Sequence, residues 1–520
     1  MALSKIDSNS VYSLVAPEAS LGVFPVGAKW RQLDLNSYSD AGSSYESATR
    51  SVMDGNRRAR KGKQSNKTVN FGYNSDLTKD NNLMQIASFM YGVPNEKPTS
   101  RSAFAGMTLT NKPTVAVTSI TPTTVVLASA VTGIAADDIV ILEDGKNDRT
   151  PLVVVSNTAG TITFEKLDAT DTFAVHTDLA NARVVKVGVR AAAGDMKLAS
   201  TATRATLTTV AKDFTAMGLR AGEWVFVGGD ATAHRFDSTA PFYARIESVT
   251  AKVLTFDTTT SPIVADVGTG KALALFFGTF IEDGKTRTSY THTRFLGVAE
   301  DGEYLYETFT GCVPNELGIT ANESEFVNLD LGYMGLDHRP AKTTKAVFDA
   351  NYADIVKQSS EDEAFHTASD VYRQRLAVNG LNMNTAAITS FVQESSITIS
   401  NNISADTGNG VLGAFDFSVG DFTLTGSLTA YFIGLEAIEA IRCNCTVGMD
   451  LILATKNAGA VIDIPSFTLG GGIEVEANSS IKISLEQNAF ASKFGFMLGW
   501  TNFSYLPDAA MPAGTSDCDC

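Results

Sequence analysis

One pattern occurs twice in this chain, and it begins with Lys67-Thr-Val-Asn-Phe-Gly-Tyr-Asn-Ser-Asp-Leu-Thr78, followed by Lys79-Asp-Asn-Asn-Leu-Met-Gln-Ile-Ala-Ser-Phe-Met-Tyr-Gly92. The first stretch predicts a β-strand and the second a short helix. The pattern returns as Asp421-Phe-Thr-Leu-Thr-Gly-Ser-Leu-Thr-Ala-Tyr-Phe432 and Leu435-Glu-Ala-Ile-Glu-Ala-Ile-Arg-Cys443. A strand-then-helix unit built twice predicts a duplicated domain, which favours symmetric assembly over catalysis.

The first helix is predicted from Asp80, a good N-cap, to Gly92, a good residue for a helix end. Its apolar residues Leu83, Ile86, Ala87 and Met90 are spaced to share one face. Most of the remaining chain is rich in Thr, Val, Ser and Gly and alternates with period two. The predicted fold class is therefore mainly β with few helices.

The chain has 520 residues, a formal net charge of −16 and a pI near 4.8. The length predicts about three or four domains, and the acidic balance argues against broad attraction to nucleic acid. We see no signal peptide and no uninterrupted apolar run long enough for a membrane span. Five cysteines favour a reducing cytoplasm as the place of synthesis.

A second repeat lies between about residues 125 and 275. Gly133-Ile-Ala-Ala-Asp-Asp-Ile-Val-Ile-Leu142 matches Gly218-Leu-Arg-Ala-Gly-Glu-Trp-Val-Phe-Val227 in layout, and residues 159–168 match residues 251–260. Both copies share the same order: a glycine-led turn, an apolar strand, another turn and a strand with Thr-Phe. This order is typical of small antiparallel barrels. We predict two tandem β-modules inserted into the first large domain, which resumes at Ala272-Leu-Ala-Leu-Phe-Phe-Gly278. We expect this insert to be peripheral.

Motifs for catalysis are missing from the sequence. None of the five histidines has a metal-ligand spacing, and no nucleophile elbow, phosphate loop or dinucleotide fingerprint occurs. We therefore predict no enzyme activity and no cofactor. The pairs Cys443-Asn-Cys445 and Cys518-Asp-Cys520 offer four thiols, but their spacing does not suit zinc. Packing is favoured for the first pair, with a metal site or a disulfide as the alternative.

A basic run stands out in this acidic chain: Arg57, Arg58, Arg60, Lys61 and Lys63, with Lys67 beyond it. Nucleic-acid binding is one interpretation, but no aromatic residues are interleaved for base stacking. A bare solvated loop is another. We favour a loop that docks onto an acidic face of a neighbouring copy.

Further segments resemble one known family. They are Tyr304-Leu-Tyr-Glu-Thr-Phe-Thr-Gly-Cys-Val-Pro-Asn-Glu-Leu-Gly-Ile319, Glu325-Phe-Val-Asn-Leu-Asp-Leu-Gly-Tyr-Met-Gly335, residues 421–431, Val461-Ile-Asp-Ile-Pro-Ser-Phe-Thr-Leu-Gly470 and Ile481-Lys-Ile-Ser-Leu-Glu-Gln487. Together with residues 1–110, they resemble the major tail tube proteins of long, flexible-tailed bacteriophages. The resemblance does not cover the insert.

The resemblance implies two tube domains of β-sandwich or barrel type, each with a short flanking helix. The predicted boundaries are 1–111 and 271–345 for the first tube domain, 112–190 and 191–270 for the modules, 346–380 for a linker, 381–506 for the second tube domain and 507–520 for a flexible tail. Three such chains would form a pseudo-sixfold ring, and the basic loop would join stacked rings.

The resemblance also implies a place in the virion tail, with synthesis in the host cytoplasm. Its partners would be further copies of the chain, the tape-measure, terminator and tail-tip proteins, and DNA that passes through without tight binding. A lumen lined with carboxylates would repel DNA, and the candidates are Glu307, Glu325, Asp330, Asp463, Glu474 and Glu476. The alternative function is an adhesin-like protein that binds a surface or a carbohydrate through the inserted modules.

Overall fold

The computed structural model of the chain describes residues 6, 8–49, 61–79, 85–95, 97, 115–179, 182–357, 363–378, 387, 388, 390–456, 458–475 and 479–512. Strands dominate this part of the chain, which confirms the mainly β fold. The described helices are short: α1 (Ala87–Phe89), α2 (Lys345–Asn351) and α3 (Glu436–Arg442).

The strands fall into three sheets. The largest sheet contains β1 (Tyr12–Pro17), β2 (Lys29–Leu33), β3 (Ser37–Ala48), β4 (Lys63–Asp76), β17 (Thr279–Glu282), β18 (Tyr290–Val298), β19 (Tyr304–Asn322), β20 (Asn328–Gly335), β21 (Asp337–Thr343), β22 (Asp354–Val356), β23 (Val371–Val378), β24 (Ser390–Ser400), β27 (Thr423–Tyr431), β28 (Val447–Thr455), β29 (Ala458–Glu474), β30 (Lys482–Ala489) and β31 (Gly499–Phe503). The smallest sheet is the hairpin of β25 (Ser404–Thr407) and β26 (Ala414–Ser418).

The insert forms the remaining sheet. Its strands are β5 (Val117–Ile120), β6 (Thr124–Leu127), β7 (Asp138–Glu143), β8 (Leu152–Thr158), β9 (Thr161–Lys166), β10 (Arg183–Arg190), β11 (Lys197–Ser200), β12 (Ala205–Thr208), β13 (Trp224–Val227), β14 (Phe242–Val249), β15 (Val253–Thr259) and β16 (Ala274–Phe277).

Eight strands of the largest sheet form a continuous antiparallel run in the order β3-β4-β20-β19-β24-β27-β30-β29. We call this run the shared sheet, because its first four strands come from residues 37–335, which we call the first half of the chain, and its last four from residues 390–489, which we call the second half. The two halves meet where β19 pairs with β24, from Glu316 opposite Ser400 to Asn322 opposite Glu394. One buried apolar cluster lies under both halves.

Both halves of the shared sheet have the same strand order, and each contains a strand followed by a short helix. Of the helix predicted from Asp80 to Gly92, the structure describes α1, and residues 80–84 lie outside the described residues. The two helices also end alike. The Gly92 N–H donates to the Ala87 carbonyl, and the Cys445 N–H donates to the Ala440 carbonyl. The residue before each donor, Tyr91 or Asn444, has a φ of 49°, so the left-handed residue of the first helix is Tyr91 rather than Gly92. Glycine is needed at position 92 because an added Cβ would lie 2.2 Å from the Glu282 carbonyl oxygen.

An outer layer of strands covers the core side of the shared sheet. In the first half, β1 pairs with β18 and β2, and β21 pairs with the first part of β19. In the second half, β23 pairs with β28, and β28 and β31 pair with the first part of β29. The long strands β19 and β29 therefore belong to both layers, because each bends from the outer layer into the shared sheet.

The insert is built from two six-stranded halves with the same order. One is β5-β6-β9-β8-β7-β10 and the other is β11-β12-β15-β14-β13-β16, and an antiparallel pair between β10 and β16 joins them. The two segments that the sequence matched most closely occupy the same places in both halves, β7 with β13 and β9 with β15.

The structure corrects three predicted boundaries. The strand at Ala274–Phe277 completes the insert rather than the first tube domain, because it pairs with β10 and β13. The predicted linker 346–380 contains β22 and β23, which pair with β2 and β28. The predicted flexible tail is docked at its start: Ala510 is fully buried, and its carbonyl accepts a 2.9 Å hydrogen bond from the Tyr243 hydroxyl. Residues 513–520 lie outside the described part.

Candidate assembly site

The shared sheet ends in two strand edges with no described neighbour. The segment Thr468–Glu474 of β29 pairs with β30 along one edge, and no described strand pairs with its other edge. At the opposite end of the sheet, β3 pairs with β4, and no described strand lies on its outer side. A strand edge of this kind presents N–H and C=O groups to any strand that can pair with them.

The junction inside the chain shows what covers such an edge. The turn between β19 and β20 follows the pair Thr320–Asn328, and the turn between β29 and β30 follows the pair Glu474–Lys482; both pairs are eight positions apart. Ile473 therefore occupies the place of Ile319. Ile319 pairs with Ile397 of β24 and is only 2% exposed, whereas Ile473 is 42% exposed. Among the described residues, a neighbour strand lies beside Ile319 and none lies beside Ile473.

The face of the shared sheet that points away from the core is polar, and we call it the polar face. It carries Thr, Ser, Asn and Gly together with exposed carboxylates, among them Glu316, Asp330, Glu394, Glu474 and Glu486, and one half-buried lysine, Lys482. These residues alternate with buried ones such as Leu317, Leu331 and Leu485. The face is therefore acidic, with small neutral side chains between the charges.

The predicted lumen carboxylates lie in several places. Asp330 and Glu474 are on the polar face, and Glu325 is exposed in the turn between β19 and β20. Glu307 lies in the outer part of β19 and forms an ion pair with Arg294. Glu476 lies outside the described residues. Sequence reasoning missed Glu316, Glu394 and Glu486, although the period-two alternation around Leu317 and Leu485 could have identified two of them.

The prediction that Asp463 lines the lumen is wrong. Its side chain is fully buried beneath the insert and does not reach the polar face. The Arg245 Nη1 donates to its carboxylate at 3.1 Å, and the Trp224 Nε1 donates at 2.9 Å. Burial raises the pKa of Asp463 to about 6, against the opposing charge of Arg245. The carboxylate therefore belongs to the contact between the insert and the second half of the chain.

The same arginine joins a wider buried network. Arg245 also donates from Nε to Asp257 at 2.9 Å. Burial raises the pKa of Asp257, but Arg245 and Lys493 together outweigh burial, so the pKa of Asp257 is lowered. Nearby, Arg373 donates to the fully buried Asp450 at 2.7 Å. Apolar residues of the insert and of β28, β29 and β31 pack around these charges in one cluster. The insert therefore packs against the second half of the chain through a buried contact that contains paired charges.

The basic run is only partly described. Arg57, Arg58 and Arg60 lie outside the described residues. Lys61 and Lys63 are exposed where β4 begins. Lys67 is paired with Asp337 within the chain and is mostly buried, so it belongs to the fold rather than to an exposed basic surface.

Neither the predicted packing role nor the alternative of a metal site or disulfide accounts for all of the cysteines. Cys443 and Cys445 are free thiols, and Cys443 is exposed, which contradicts a packing role for it. Cys518 and Cys520 lie outside the described part of the chain. Among the residues that the structure describes, no group of three or more His, Cys, Asp or Glu side chains is placed to hold a metal ion. The described helices are too short or too polar to cross a bilayer.

In the part of the chain that the structure describes, the fold is mainly β, with a polar sheet face and two sheet edges that have no described neighbour strand. The sequence matches the model of the phage tail tube protein family over residues 8–489, and the chain belongs to this family. It is therefore a structural protein of a virion tail. No curated protein matches the chain.

Proposed function

We propose that three copies of this chain close into a ring through their bare sheet edges and that these rings stack into the tail tube. One observation carries the proposal: β19 and β24 already join two four-stranded units inside the chain. In the second unit β29 takes the place that β19 has in the first, and in the first unit β3 takes the place that β24 has in the second. Pairing β29 of one copy with β3 of the next repeats that junction. Three chains would supply six units, and closure leaves no bare edge.

The register of the pairing between chains follows from the junction within the chain. Gly318 is opposite Thr398, and Thr398 is opposite Thr425. In the other units, Gly472 takes the place of Gly318, and Gly42 takes the place of Thr398, since Gly42 is opposite Asn70 of β4. The proposed pairing therefore sets Gly472 of one copy opposite Gly42 of the next.

Cysteine cross-linking tests this register. We expect the double variant Gly42→Cys/Gly472→Cys, with Cys443, Cys445, Cys518 and Cys520 replaced by serine, to form disulfide-linked rings of three chains under mild oxidation. Both positions accept a Cβ without any atom within 4 Å, and neither needs a positive φ. The products are measured by non-reducing electrophoresis and mass photometry.

The matched control moves one cysteine inward by one strand. Ser484 lies opposite Gly472 on β30, so Gly42→Cys/Ser484→Cys keeps the same face but places the thiol beyond disulfide reach of the next copy. Equal cross-linking of both double variants, or monomers from both, would refute the proposed register.

The proposed ring turns its polar face toward the channel. Glu316, Asp330, Glu394, Glu474 and Glu486 would then line a passage for genomic DNA, with Ser, Thr and Gly between them. DNA moves through such a passage without tight binding, because carboxylates repel phosphates and few cations are present to hold them. No step in this function requires catalysis or a cofactor.

The ends of the shared sheet support a stacking role for the basic loop. Lys61 and Lys63 lie where β4 begins, and the opposite end carries exposed Glu323 and Glu325 in the turn after β19. In a stack, the basic end of one ring would meet the acidic end of the next. The tape-measure protein inside the tube, and the terminator and tip proteins at its ends, are the further partners in this proposal.

A further inference from the structure

The short helices α1 and α3 have the same backbone hydrogen bonds at their C-terminal ends. The Met90 N–H donates to the Ile86 carbonyl at 2.9 Å, and the Cys443 N–H donates to the Glu439 carbonyl at 2.9 Å. The two ends therefore correspond residue by residue. The matched pairs are Phe89 with Arg442, Met90 with Cys443, and Tyr91 with Asn444.

The two helix ends differ in exposure although their backbones match. Phe89 and Met90 have no exposed area, and Tyr91 is 3% exposed. The three matched residues at the end of α3 are all exposed. The same local structure is therefore covered in the first half of the chain and open to solvent in the second half.

Part of the cover over α1 comes from the second half of the chain, beside the junction of β19 and β24. Asn401, the first residue after β24, is 2% exposed. Its Nδ2 donates to the Phe89 carbonyl at 3.0 Å and to the Pro314 carbonyl at 3.2 Å. The Tyr91 hydroxyl donates to the same Pro314 carbonyl at 2.9 Å. The loop 284–286 of the first half supplies further hydrogen bonds to this helix end.

Tyr45 takes the place of Asn401 at the edge of β3. Gly42 takes the place of Thr398, so three residues further along the two strands Tyr45 corresponds to Asn401. Tyr45 pairs with Lys67, whose mostly buried side chain places its Nζ 5.9 Å from the centre of the Tyr45 ring. Tyr45 therefore lies on the core side of the sheet. It is 48% exposed, and no described strand lies beside it.

The side chains at the two places are exchanged in size. Within the chain, the small Asn401 lies near the large Tyr91 of the helix end. In a contact between Tyr45 and the end of α3, a large strand residue would lie near the small Asn444. Such an exchange keeps the total volume similar, which a close-packed contact requires. The Tyr45 hydroxyl would also supply a hydrogen-bond donor, as Asn401 and Tyr91 do.

We infer that Tyr45 of one copy covers the C-terminal end of α3 in the adjacent copy of the same ring, in the way that Asn401 covers α1 within the chain. This inference rests on the proposed ring. The contact continues the pairing of Gly42 with Gly472 from the sheet edge to the layer of the helices. Each junction between copies therefore closes in two layers, and Cys443, exposed in the single chain, becomes covered in the ring.

Alkylation of Cys443 tests this contact. In a protein that keeps only Cys312 and Cys443, Cys443 is the exposed thiol, since Cys312 is buried. We expect N-ethylmaleimide to modify Cys443 at least about tenfold more slowly in assembled rings or tubes than in the same protein kept unassembled by Ile473→Asp, because covered thiols are unreactive. Intact-mass spectrometry measures both rates.

Tyr45→Phe and Tyr45→Ala form a matched pair in the same protein. Both leave the backbone pairing of β3 intact, but only phenylalanine keeps a ring over the helix end. We expect slow modification of Cys443 in Tyr45→Phe assemblies and a rate near that of the unassembled chain in Tyr45→Ala assemblies. Failure of Tyr45→Ala alone to assemble would support the same contact.

Two results would overturn the inference while leaving the ring in place. One is equal modification of Cys443 in assembled and unassembled protein. The other is equal protection of Cys443 in the Tyr45→Phe and Tyr45→Ala assemblies, which would mean that another surface covers the helix end. A parent protein that forms no rings would instead refute the proposed ring, and this inference with it.

Discussion

Replacing Arg245 with alanine will destabilise the chain by about 3–5 kcal/mol, the cost of removing one partner from a buried ion pair. Arg245 bridges Asp257 of the insert and Asp463 of β29, and both carboxylates have no exposed side-chain area. Without the guanidinium, two carboxylates remain buried without their main cation. Thermal unfolding followed by circular dichroism will show an earlier transition.

The matched control is Arg204→Ala. Arg204 also pairs with a carboxylate of the insert, Glu247, but its side chain is 37% exposed. The loss of a pair that water can replace costs less than about 1 kcal/mol. Similar unfolding temperatures for the two variants would contradict the view that the buried network holds the insert in place.

Removal of the whole insert extends the same argument. A chain in which residues 115–277 are replaced by a short linker would expose Ile452, Val461 and Phe503, which now pack against the insert. It would also leave Asp463 without Arg245. We expect this chain to be insoluble when produced in bacteria. A soluble, tube-forming deletion variant would show instead that the insert is peripheral.

Replacing Ile473 with aspartate will abolish tube formation while each chain stays folded. Its counterpart Ile319 is buried against Ile397 in the junction within the chain, and the proposed pairing buries Ile473 against Ala41 of the next copy in the same way. Burying a carboxylate there without a partner costs several kcal/mol at each of the ring's junctions. The isolated chain avoids this cost because Ile473 faces solvent.

Size-exclusion chromatography and negative-stain images measure this effect, with circular dichroism as the check of folding. Val210→Asp serves as the control, since it adds the same charge to an exposed position of the insert, which contributes no strand to the shared sheet. Rings or tubes from Ile473→Asp at parental concentrations would mean that β29 does not form the contact between chains.

The sequence was sufficient to predict the parts of the fold that depend on local patterns. The strand before each short helix shows clear alternation, and the glycine-led turns at Gly133 and Gly218 mark matching strands of the insert. Both glycines have a positive φ in the structure, which explains why the residue type recurs. The exposed acids of the polar face follow the same period of two.

The sequence could not show which surfaces of the chain pack against each other. Residues Ile462, Asp463 and Ile464 are all buried, because the core lies on one side of β29 and the insert on the other. Alternation alone would have placed the aspartate toward solvent. Similarly, the apolar run at Ala274–Phe277 could complete either neighbouring domain, and long-range pairing with β10 and β13 decided between them. The two edges without a described neighbour likewise depend on long-range pairing, which local sequence patterns do not show.

A reconstruction of the assembled tube in cross-section tests the central claim most directly. The account predicts three chains per ring, six similar four-stranded units around the channel, and β29 of each chain paired with β3 of the next, with Gly472 opposite Gly42. Six complete chains per ring, or a ring in which these two edges stay unpaired, would contradict it.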